Sequence, residues 1–278
     1  MDILTFWQQV HDSQRSFCGM SLTQADFCEA NLSGLDLRRS HLAEACLVWA
    51  DVSGALLAAA DLQASVAIWL QGLWTDLTAA NLCDADWSCA NLTAATLDRA
   101  TLIHTKLSGA TLREVSAQDA NFLDANCWGA WAVDADFSGA CLQQTNWTTA
   151  QLMRSQLVRT DMSWSNLSQV VAVGANFTLA CLEGSDLSGA NLTESCFRKA
   201  DLTATNFQGA CLYKANLQNA DLRGANLTNA NLTQADLTGA NLKGACLTNA
   251  ILPLPLKLTE QVSTNNNLWF SDVRAHNV

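Results

Sequence analysis

The chain has 278 residues, of which 49% are apolar, and it carries a formal net charge of −11. That length and content suffice for one sizeable domain, and the longest apolar runs fall far short of the roughly 20 residues that span a bilayer. An acidic balance opposes direct nucleic-acid binding, which draws on a basic footprint. The first residues, MDILTFWQQVHDS, lack the basic region and small-residue cleavage site of a leader. The expected location is therefore cytoplasmic, with no membrane and no nucleic acid as partner.

Residues 1–14 place Ile3, Leu4, Phe6, Trp7 and Val10 on one face of a helix. The expectation is a short N-terminal cap helix covering the first turn of whatever follows.

From residue 15 the chain repeats every five residues and the step never slips. Centres run from Phe17 to Leu252, and 38 of the 48 are Leu or Phe. Two residues earlier stands a small residue, mostly Ala, Ser or Thr, and the residue between is Asp or Asn in 26 units. Small and large residues two apart point to one side of extended backbone, so both should face inward. Neither a plain alternating strand nor an amphipathic helix restarts every five residues. Placing a corner in each unit closes one coil in twenty residues, and residues 15–254 then form about twelve coils. The predicted fold is an all-β solenoid.

The units ADFCE (25–29), ANLSG (30–34), ADLTG (235–239) and ANLKG (240–244) resemble the motif of the pentapeptide-repeat family: a small residue, Asp or Asn, Leu or Phe, and two variable residues. The resemblance covers about 240 residues and implies a right-handed quadrilateral β-helix. Stand-alone cyanobacterial members with an N-terminal helical cap share this plan. It implies nothing catalytic, and an uninterrupted coil supplies no loop-lined pocket, so no enzyme activity and no cofactor are expected.

The eleven cysteines include six (Cys46, Cys141, Cys181, Cys196, Cys211, Cys246) at the position usually held by Asp or Asn. Stacked neighbours should lie twenty residues apart, and no two cysteines do, so structural thiols are expected rather than disulfides or zinc ligands. His11, His41, His104 and His276 are scattered and offer no metal site.

Along one edge of the predicted coil the outward positions are apolar: Trp49, Ile68, Trp69 and Trp74, then Trp128 and Trp131. If they face solvent, they form a protein-binding surface. The alternative is that VAIWLQGLW (66–74) departs from the coil and folds its side chains inward, because Ala67 and Gly72 are poor centres. Small Ala67 twenty residues before Trp87 is accounted for by volume compensation in the core.

Charge is uneven. Residues 1–150 hold 17 acidic and 6 basic side chains, whereas residues 151–278 hold 9 of each. Through the family resemblance this admits a second reading, an acidic mimic of DNA that binds a DNA-handling protein such as DNA gyrase, with Asp84, Asp98, Asp119 and Asp124 as candidate charges. Several other Asp side chains, just before a centre, could instead be occupied by local backbone bonding.

Pro253 and Pro255 end the repeat, and residues 255–278 are expected to cap the last coil or join two protomers through Leu256, Leu258, Val262, Leu268, Trp269 and Phe270. The reading is a non-enzymatic interaction or regulatory scaffold, monomeric or dimerised through its C-terminus, that binds a protein through its apolar edge.

Overall fold

A computed structural model of the protein describes residues 3–253. Two residues after each centre, from Gly19 to Asn249, the backbone turns left-handed: 34 non-glycine residues and 13 glycines in this register have positive φ. The next residue donates its N–H to the carbonyl of the centre, as Ala25 does to Leu22 at 3.1 Å, closing a tight turn. Only three residues between successive turns stay extended. The middle one forms a parallel bridge with the residue twenty further on, as in Ser16 with Asp36, Asp51 with Gln71 and Asn191 with Cys211.

These facts correct the expected all-β solenoid. Among the described residues there is no β-strand and no sheet, one short helix, and a series of isolated single-residue bridges, so the right-handed quadrilateral β-helix is not what the chain forms. The physical reason is the turn. A left-handed residue every fifth position breaks the extended backbone before a second consecutive residue can pair, whereas a strand needs a continuous ladder.

Backbone donors are nevertheless fully used within a unit. In Ala50–Gly54, the Ala50 N–H closes the turn on Leu47 (3.0 Å) and Asp51 donates back to Ala30 (2.9 Å). Val52 and Gly54 donate forward to Gln71 (2.7 Å) and Leu73 (2.8 Å). The fifth N–H, of Ser53, reaches the Asp51 carboxylate at 2.9 Å. Thus the Asp or Asn before a centre accepts the one donor that no carbonyl takes, which is why short side-chain acceptors recur there.

Residues up to Cys141 and from Leu142 onward form two compact units. In the first, helix α1 (Ile3–His11) sets the fully buried Phe6 ring 4.5 Å from Phe17 and 5.2 Å from Phe27, with Trp7 6.0 Å from Phe27. Leu4 points away and is 79% exposed, so it takes no part in that contact. Ala67 and Trp87 are both wholly buried, and the Trp87 indole N–H donates to Ser65 Oγ at 3.1 Å. A Cβ at Gly72 would meet the Leu92 side chain at 2.9 Å, so a neighbouring leucine fills the space left by this poor centre.

In the second unit Phe177 and Phe197 stack at 4.6 Å within 5° of parallel. Buried hydroxyls at the small inward position are satisfied by carbonyls, as Ser155 by Leu152 (2.8 Å) and Ser195 by Leu192 (2.7 Å). The expected roles of Leu256, Leu258, Val262, Leu268, Trp269 and Phe270 lie outside the described residues.

Candidate protein-binding face

The segment 66–74 keeps the register of its neighbours. Ala67 and Gly72 occupy centre positions and donate to Asp86 and Asn91 at 2.7 and 2.8 Å, while Val66 and Gln71 form their bridges. Its aromatics consequently point outward: Trp69 is 46% and Trp74 67% exposed, so the inward-folded alternative is corrected. A poor centre leaves the backbone in place because its hydrogen bonds do not depend on the side chain.

Trp49 and Trp69 hold the same left-handed turn position twenty residues apart, at φ 59° and 62°. Their rings stack at 5.4 Å with 10° between planes, and Trp49 is 57% exposed. Trp74 holds the next turn along, also left-handed. Val48, Ile68 and Leu73, each just before one of these tryptophans, are half-buried.

A left-handed non-glycine residue costs about 1–2 kcal/mol and an aromatic pair returns about 0.5–1.5 kcal/mol beyond burial. With both tryptophans left-handed, the backbone cost is about 2–4 kcal/mol against that single return, so the exposed stack offsets only part of its own strain and folding stability does not account for it.

Trp128 and Trp131 are exposed as well, but they do not join this cluster. Trp128 sits three twenty-residue steps beyond Ile68, about 14 Å away at the usual interstrand spacing, and Ser88, Cys89, Ser108 and Gly109 hold the intervening positions. Val133, two residues after Trp131, is buried. Sequence reasoning missed Trp164 in the second unit, which is exposed at a left-handed turn position with its ring over Gly184, where a Cβ would meet it at 2.6 Å. The signal was a glycine twenty residues after an outward tryptophan.

The acidic candidates divide differently. Asp98 accepts Ser116 Oγ (2.6 Å) and the Gln118 N–H (2.9 Å), replacing the acceptor that Ser116 does not supply to its own unit. Asp84 and Asp124 flank the exposed His104 at 3.2 and 3.8 Å. The Asp119 carboxylate leans onto Gly139, where a side chain would collide with it. Asp36 belongs to the bonded class: the Arg38 guanidinium at 2.7–2.8 Å holds its pKa down to about 2. For Asp86, partial burial pushes upward, but hydrogen bonds from Ser88 and the charge of Lys106 outweigh it and the net shift is downward.

The family model described as pentapeptide repeats matches residues 21–58, 75–113, 104–139, 133–169, 173–209 and 215–252. The chain belongs to the pentapeptide-repeat family. Among solved pentapeptide-repeat structures it is similar to HetL of the cyanobacterium Nostoc sp. strain PCC 7120, described as involved in heterocyst differentiation regulation. Identity is 26% over 92% of this chain and 99% of HetL, with a TM-score of 0.37. A pentapeptide repeat protein of the Arabidopsis thaliana thylakoid lumen is 27% identical over 40% of this chain and 67% of that one, at a TM-score of 0.20. QnrB1, a plasmid-mediated fluoroquinolone resistance protein, is 18% identical over 81% and 88%, at 0.25. No curated protein matches the chain. Among the described residues of this pentapeptide-repeat chain, no helix is long and apolar enough to cross a membrane.

One expectation about cysteine fails in these repeats. Cys28 and Cys46 form a disulfide across 18 residues, with Cα atoms 5.5 Å apart. Contact at a separation of eighteen arises because the residue after one centre leans on the residue before the centre of the next level. Gln143 with Asp161 and Thr178 with Cys196 repeat the relation at 2.6 and 3.3 Å. Asp26 lies beside the pair, and the three donor atoms fall within 4.8 Å of one another. With the sulfurs bonded to each other, neither is a thiolate, and the set is not a ligand set in this state. Cys127, in contrast, is fully buried, which pushes its thiol pKa up and makes it inert.

Proposed function

We propose that this chain is a non-enzymatic binding protein whose protein partner packs against the Trp49–Trp69–Trp74 face. The stacked and solvent-exposed Trp49–Trp69 pair carries this reading. Exposed tryptophans are among the residues that dominate binding energy at protein interfaces, and the stack presets the side-chain conformation a partner would meet. Trp128 and Trp131 form a separate, smaller contact in this reading. The non-enzymatic part is supported by the carboxylates, which are either tied to backbone N–H groups, as Asp51, Asp76 and Asp136 are, or placed on open turns without the enclosure that tunes acid–base groups.

The acidic DNA-mimic reading loses one of its four candidate charges, Asp98, to internal bonding and draws no comparable support. Capture from host lysate with wild type, W49S/W69S and D84K/D124K separates the two. Loss of a partner in the tryptophan variant alone supports the aromatic face, and loss in the charge variant alone moves the interface to the acidic turns.

A further inference from the structure

The Cys28–Cys46 disulfide occupies a particular place. Phe27, next to Cys28, is the residue on which both Phe6 and Trp7 of α1 pack. Cys46 begins the unit whose turn carries Trp49. Backbone bonds already join the two levels, Phe27 to Cys46 at 2.8 Å and Cys46 to Ala25 at 3.0 Å. Among the described residues only α1 lies beyond the first level, and a level at the end of a stack is the first to open. Of the eleven cysteines this is the single pair at a separation of eighteen. The two sulfurs differ in access: the Cys28 residue is exposed, whereas Cys46 is half-buried.

We propose that Cys28–Cys46 is a thiol-exchange site, opened by a low-molecular-weight monothiol, and that it clamps the helix-bearing end of the first unit. The monothiol's thiolate attacks the exposed Sγ of Cys28, forming an S–S bond to it as the Cys28–Cys46 bond breaks. The electron pair leaves on Cys46 Sγ, which takes up a proton from water. A second thiolate then attacks the monothiol's sulfur in the mixed disulfide, releasing the oxidised disulfide of the small thiol and the Cys28 thiolate. Two monothiols are oxidised by two electrons and the cysteine pair is reduced by the same two. Loss of the link leaves the first level held by backbone bonds, by the Phe6 and Trp7 contacts of α1 and by exposed side-chain hydrogen bonds such as Gln24 to Glu44. The proposal does not rest on the tryptophan face, and either can fail without the other.

The test uses the full chain purified without reductant and then exposed to glutathione. Non-reducing digestion with mass spectrometry is expected to yield Cys28 linked to Cys46, and limiting glutathione to leave its adduct on Cys28. Amide exchange over residues 16–30 should accelerate by at least about tenfold on full reduction, and equally in C28S/C46S, with residues 174–200 unchanged. All eleven cysteines free in the unreduced protein, an adduct on Cys46, or unaltered exchange over 16–30 on reduction would overturn it. The comparison of wild type with and without thiol stands even if the double variant does not fold.

Discussion

An alanine at φ 56°, as at Ala59, holds a backbone conformation that a glycine adopts without steric cost. Relief of about 1–2 kcal/mol exceeds the 0.4–1 kcal/mol of extra unfolded-chain entropy that glycine brings. Ala59→Gly and Ala79→Gly, both at exposed turns, are therefore expected to stabilise the protein by about 0.5–1 kcal/mol each in denaturant titration; a decrease would mean that the turn tolerates alanine freely. The acceptor before the centre carries the opposite sign. Asp51→Ala strands the Ser53 N–H and should cost about 1 kcal/mol, whereas Asp51→Asn, which keeps the acceptor, should cost less. Asp36 adds a pH dependence. Its folded pKa, about 2, lies below the ordinary 3.8, so its contribution is fully present above about 4 and is lost as pH falls from there through about 2. Melting temperature between pH 5 and 2 should fall less in R38A than in wild type, and equal slopes would remove Arg38 as the cause.

At the scale of the five-residue element, the sequence made side-chain direction legible and hid backbone shape. Inward Leu, Phe and Ala follow from spacing alone, and Phe17, Ala45 and Leu47 are buried as that spacing requires. The strands inferred from it are absent, because hydrophobic period records which way a side chain points and carries little about φ. Glycines such as Gly34 and Gly239 marked the left-handed position, but Glu29, Arg39 and Trp49 adopt it too and carry no such mark. The disulfide stayed hidden for a related reason: twenty is the separation of bridged residues, eighteen that of the side chains that touch across levels. Trp164 is less legible because Ser163 and Ser165 flank it and no apolar run marks its turn. At the chain's beginning, α1 was legible from its apolar face, though Leu4 was not separable from Phe6 without the contacts. Phe6→Ala empties a site against Phe17 and Phe27 and is expected to cost about 3–5 kcal/mol, read as an early unfolding phase; Leu4→Ala should change stability by less than about 0.5 kcal/mol.

For the whole molecule, recognition and stability draw on different residues. The core is built from centres and small inward residues, the backbone donors from Asp and Asn, and the exposed tryptophans belong to neither set. Trp49 and Trp69 can accordingly be changed without dismantling the fold, so binding can be assayed apart from folding. The decisive measurement is quantitative capture from host lysate by wild type and by W49S/W69S, with melting temperatures recorded for both. The expected result is a double variant that still folds, with its melting temperature lowered by no more than about 5 °C, and at least about a tenfold loss of a partner that wild type retains. Equal capture of that partner by the folded double variant would contradict the tryptophan face as the binding site.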